Sequence, residues 1–192
     1  MELIQQTPDL SAYLAADDVI DHGHPLVRET AAALRSRHRD VHAYAQAAFE
    51  FVRDSIPHSS DTGDERVTWR ASDVLAQRTG ICHAKAHALV ALLRAQSIPT
   101  ALCYQKFEVL HGLVAIRMPG QEAWHRQDPR GGEPGKEAQF SLAQERLAFL
   151  PDPEFNELDF PVLYAVPHPG VLSALQSARD SVELLRILPT DL

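Results

Sequence analysis

Residues 78–99 read RTGICHAKAHALVALLRAQSIP, a glycine and a thiol at the head of an apolar run. From Cys82 to Gln96 nothing breaks a helix, and Pro99 forbids its continuation. The spacing of Ala86, Leu89, Val90 and Leu93 predicts a helix over 82–96 with that row buried. Cys82 then meets the positive end of the helix dipole, which favours thiolate over thiol. A small buried hydrophobe is the alternative reading of the same residue.

Upstream, His24 and Pro25 mark a helix start, followed by Leu26, Val27, Ala31 and Leu34 at helical spacing. Asp40 is placed to cap a second helix whose one-sided stripe runs through Val41, Tyr44, Ala48, Phe49 and Val52 to Ile56, before Pro57 closes it. Residues 58–68 are polar and read as a loop. Ser72 can cap a short helix over 73–78, with Gly80 as its left-handed stop. Beyond Pro99 the period shortens. Residues 101–109, 113–118 and 123–127 read as antiparallel strands, with a further extended piece near Gln139 and Phe140. Helices are expected again over 168–178 and 181–188. Helices first and strands second predict an α+β fold with segregated layers.

The 192 residues fit one domain, 1–192, read as an N-terminal helical arm over 1–39, a core over about 40–132 and a C-terminal extension over 133–192. A hydrophobic fraction of 45% excludes a disordered or fibrous chain. Net charge −8 has the wrong sign for tracking phosphates, so neither nucleic acid nor an anionic membrane is an expected partner. No apolar run approaches spanning length, and the first residues lack the basic start and apolar stretch of a secretory signal, so none is expected. With two cysteines, Cys82 and Cys103, there is no disulfide framework, and a cytoplasmic setting is expected.

A reactive thiolate needs a base that returns a proton to the leaving group, and the base needs an orienting partner. His111 opens one strand and Asp128 ends the next, so neighbouring strands about 4.8 Å apart would let the two touch. With the Cys82 helix packed on that same face, all three groups would converge. Taken singly, His111 reads as a satisfied histidine and Asp128 as a turn former. Their order after Cys82 is what counts.

That order resembles the bacterial transglutaminase-like proteins. Residues 78–86 leading into 91–99 are similar to their nucleophile helix, 111–115 to their histidine strand, and 124–131 to their aspartate strand and turn. Residues 48–54 and 71–75 also fit. The resemblance implies a papain-like helix on an antiparallel sheet, with Cys82 as nucleophile, His111 as general base and acid, and Asp128 as orienter. It also implies a thiol-dependent hydrolase or acyltransferase acting on peptide or protein amides through a thioester. The family contains crosslinking enzymes, peptidases and amidases.

The tetrahedral oxyanion needs donors. The Cys82 backbone N–H is a first, and Trp69 and Gln105 are candidates for a second. No cofactor is called for. Two other classes stay open: a binding module that keeps the fold without the chemistry, and a metal-dependent hydrolase using His83 and His87, four apart on one helix. No other ligand cluster accompanies that pair, so no metal is expected. Cys103, in an aliphatic strand, reads as packing. Lys85 could lower the thiol pKa or face solvent. Asp61, Asp64 and Glu65 lack calcium-loop spacing, and residues 131–135 are a turn that could border the cleft rather than a phosphate cradle.

Overall fold

The computed structural model describes residues 1–131 and 138–192. A two-residue strand β1 (Ile4–Gln5) leads into a single helical turn, Leu10–Tyr13. Two longer helices follow. In α1 (Pro25–Arg37) the His24 imidazole accepts from Leu26 N, and in α2 (Val41–Ser55) the Asp40 carboxylate accepts from Ala43 N, so both predicted starts hold. The stretch read as loop contains one short helix, α3 (Ser59–Thr62).

The next helix, α4 (Ala71–Gln77), corrects two expectations. Its N-cap is Arg70 rather than Ser72, and the left-handed stop is Arg78, at φ 54°, rather than Gly80. Gly80 is needed for room. A Cβ there would meet Ala84 Cβ and Thr68 Oγ1, each at 2.9 Å.

The thiol helix α5 spans Cys82–Arg94. A one-sided stripe was expected, but all its residues are buried, Lys85 and Arg94 included. It packs against α1, α2 and α4, and against the strands that follow it. Arg94 is tolerated inside because its guanidinium donates to the carbonyls of Thr100, Ala15 and Ala165.

Strands β2 (Thr100–Lys106), β3 (Leu110–Arg117) and β4 (Trp124–Gln127) form the expected antiparallel meander. The C-terminal part adds β5 (Leu158–Asp159), antiparallel on the free edge of β2, and β6 (Val162–Leu163), parallel to β1. Helices α6 (Pro169–Ser177) and α7 (Ser181–Ile187) complete the chain. The extended piece expected at Gln139 and Phe140 forms no strand. Of the 131–135 turn, all but Gly131 lies outside the described residues.

The sheet has two apolar faces. Leu102, Tyr104, Leu110, Val114 and Ile116 share a core with α5, whereas Ala101, Cys103, Leu113 and Ala115 pack with Tyr13 and Leu163 on the other side. Cys103 is therefore a core residue, and burial pushes its thiol pKa up. No helix among the described residues is long and apolar enough to cross a membrane.

Candidate active site

Cys82 is the first residue of α5, and its N-cap, Ile81, offers no side-chain acceptor to the helix N-terminus. The orphan N–H groups of the first turn therefore keep their field on the thiol. The preceding segment is pinned on two sides. Thr68 Oγ1 donates to Thr79 O at 2.8 Å, and Ser59 N to Gly80 O at 3.2 Å.

His111 is the second residue of β3 and sits opposite Gln105 in the ladder. Side chains alternate along a strand, so His111 shares the face of Leu113 and Ala115, away from α5. This differs from the single shared face expected from sequence. The contact is made at the strand's beginning, through Gly112. Its N–H reaches Cys82 Sγ at 3.5 Å, and a Cβ on it would lie 2.3 Å from His83 Nδ1. The missing side chain lets the head of α5 press against the strand. At that point Cys82 Sγ also meets the His111 imidazole.

His111 Nε2 lies 2.9 Å from Asp128 Oδ2, which leaves Nδ1 as the ring nitrogen for the sulfur. Asp128 is buried just beyond β4, and its carboxylate also accepts from Arg130 N at 3.0 Å and Ala148 N at 3.1 Å. Burial opposes the His111 charge, but the Asp128 carboxylate and the Cys82 sulfur reverse that and raise its pKa. Burial likewise opposes a thiolate at Cys82. The electrostatic influence of the neighbouring His83 and of the His111 imidazolium, with hydrogen bonds from His111 and His58, overcomes it and holds the thiol well below its ordinary value. The two groups favour each other's charge, as in a thiolate–imidazolium pair.

The structure brings Cys82, His111 and Asp128 together, but not Trp69 or Gln105. Neither of the latter lines the cavity on Cys82. The Trp69 carbonyl accepts from His87 Nδ1 at 2.8 Å, and its ring lies under the Arg70 guanidinium. Gln105 Nε2 is held by Asp159 Oδ1 at 2.8 Å, part of a network in which Arg126 also binds Asp159 and Glu145.

Two residues of the site were missed in the sequence. His58 lines the cavity, is buried, and hydrogen-bonds the Cys82 side chain, while its Nδ1 has no hydrogen-bond partner among the described residues and lies 3.9 Å from Asp61 Oδ1. Arg130 holds Asp61 in a two-pronged bridge at 2.6 and 2.7 Å. Asp61, read as a solvated loop carboxylate, is thus a strut. It ties α3 to the turn that carries Asp128. Only tertiary pairing brings these residues together, and no local pattern announces them.

Lys85 does not face solvent. Its ammonium donates to the carbonyls of Ile56 at 2.5 Å and Arg53 at 3.2 Å, and burial lowers its pKa to about 8. His83 Nε2 is engaged by Leu110 O at 2.9 Å and His87 Nδ1 by Trp69 O. Among the described residues, no group of three or more His, Cys, Asp or Glu side chains is gathered for a metal ion.

The fold is shared with solved structures. A "putative cysteine protease" from Cytophaga hutchinsonii superposes with TM-score 0.54 at 20% identity, over 65% of this chain and 43% of that one. The periplasmic domain of TgpA from Pseudomonas aeruginosa gives TM-score 0.50 at 23% identity, over 64% of this chain and 48% of that one. The chain therefore spans less than half the length of either. No match is found among curated proteins. The family model of the transglutaminase-like superfamily matches residues 28–129, from α1 through the turn that carries Asp128, and the chain belongs to that superfamily.

Proposed function

We propose that this protein is a thiol-dependent amide hydrolase working through Cys82, His111 and Asp128. The observation that carries the reading is the unbroken contact from the Cys82 sulfur through the His111 imidazole to the buried Asp128 carboxylate, with Cys82 and His111 lining an open cavity. Cys82 Sγ, as thiolate, attacks the amide carbonyl, forming an S–C bond and placing negative charge on the oxygen. His111, as imidazolium, gives its proton to the departing amine as the C–N bond breaks. The neutral imidazole then takes a proton from water, whose oxygen attacks the thioester. The S–C bond breaks, the carboxylic acid leaves, and the thiolate–imidazolium pair is restored. Asp128 keeps Nε2 protonated and stabilises the imidazolium.

The Cys82 backbone N–H supplies one oxyanion donor, and His58 is proposed as the second, since it lines the same cavity and hydrogen-bonds the same sulfur. Water is the proposed acceptor. Crosslinking must exclude it, and the rim residues Glu108 and Leu185 leave this cleft open to solvent.

The test uses p-nitrophenyl acetate as acyl donor, with intact-mass detection. The expected result is an acetyl adduct on Cys82, removed by hydroxylamine and absent from Cys82→Ser. Nitrophenol release no faster from the wild type than from Cys82→Ser would overturn the proposal.

A further inference from the structure

The cavity in front of Cys82 has walls that the family match does not reach. Its volume is about 300 Å³, at the small end of the range for ligand pockets, enough for one bulky group rather than a length of chain. Phe107, Phe149, Leu185 and Leu188 supply the apolar lining. The last three lie beyond residues 28–129. These walls are tied to the catalytic strand and to the loop after α3. Leu110 N donates to Pro189 O at 3.0 Å, Ser181 N donates to Glu65 O at 3.0 Å, and the Phe149 ring meets the His111 ring edge-on at 5.0 Å between centroids. The C-terminal helix α7 is thus a fixed side of the cleft.

Charge at this cavity is unevenly placed. The Arg130 guanidinium is engaged by Asp61, whereas two carboxylates, Glu108 and Glu157, stand along the rim. Glu157 accepts from Asp152 N at 2.9 Å, and Glu108 is exposed. An apolar group fits the lining, and an anionic neighbour would meet like charge at the mouth.

We infer that Cys82 accepts acyl groups bearing an aromatic or branched apolar side chain, flanked by positive charge, and that α7 forms the pocket for that side chain. This inference rests on the thiolate mechanism proposed above. It is tested on the full chain with acetyl-dipeptide vinyl sulfones, which alkylate Cys82 without turnover, read by intact mass beside iodoacetamide.

The Lys-Phe vinyl sulfone is expected to label at least about 10-fold faster than Lys-Asp, the scale on which one apolar pocket discriminates. It should also outpace Glu-Phe at low salt, by a margin that shrinks in Glu108→Gln and as salt is added. Leu185→Asp, at an exposed position, should reduce the Phe-to-Asp ratio by about the same 10-fold. If iodoacetamide reacts fast while Lys-Phe and Lys-Asp label equally, the pocket inference is overturned alone. If iodoacetamide itself reacts no faster than with a free thiol, the thiolate reading fails and takes this one with it.

Discussion

At the residue scale, the site depends on which atoms are missing as much as on which are present. Gly112 carries no Cβ, and the one that alanine would add falls 2.3 Å from His83 Nδ1, inside a ring already held by Leu110 O. Gly112→Ala is expected to cost about 1–3 kcal/mol through overpacking, seen as a lower thermal midpoint. It should also slow Cys82 alkylation, because the displaced ring sits next to Cys82 at the head of α5. His58 makes a different prediction. As an oxyanion donor, its loss in His58→Ala should lower kcat by about 10²-fold with KM little changed, and His58→Gln should recover part of that rate. Steady-state kinetics on one chromogenic amide would check it. Equal effects on kcat and thermal stability would instead assign His58 to packing. Cys82, His111 and Asp128 could be read from the chain because each lies at an element boundary marked by glycine or proline. His58 could not, since its nearness to the sulfur comes from pairing beside Gly80, remote in sequence.

At the element scale, α5 carries two histidines that its amphipathic pattern does not explain. His87 is buried, and burial lowers its pKa to about 4. The folded protein therefore resists a proton that the unfolded chain accepts below its ordinary 6.5. Stability is full above that value and falls as pH drops from 6.5 toward about 4, by an amount on the order of 3 kcal/mol. His87→Gln keeps a donor for the Trp69 carbonyl but cannot ionise. Urea midpoints measured across that window should fall with acid in the wild type and stay nearly level in the variant. The helices α1, α2 and α5 and the three-strand meander were legible because each has several turns or alternations. The strands β1, β5 and β6 span two residues each, too few to establish a period. The stop of α4 was misread because glycine usually signals a left-handed residue. Here Arg78 takes that conformation, and Gly80 answers to the crowding of Thr68 and Ala84.

At the scale of the whole molecule, the α+β layering follows from the sequence, but its closure does not. The C-terminal part returns to extend the sheet at β5, pair with the N-terminal arm at β6, and line the cleft with α7. The triad groups come from a helix head, a strand start and a turn, and their charges support one another only when the fold assembles them. Asp128→Asn tests this, since it keeps a polar side chain beside Nε2 while removing the charge behind it. The imidazolium should weaken and the Cys82 pKa rise. The most direct measurement is the pH titration of the Cys82 thiolate by its ultraviolet absorbance, with Cys82→Ser as the blank. A wild-type midpoint well below the free-thiol value of about 8.5 that moves upward in Asp128→Asn is the predicted result; a midpoint at that value or above, the same in both proteins, would contradict the account.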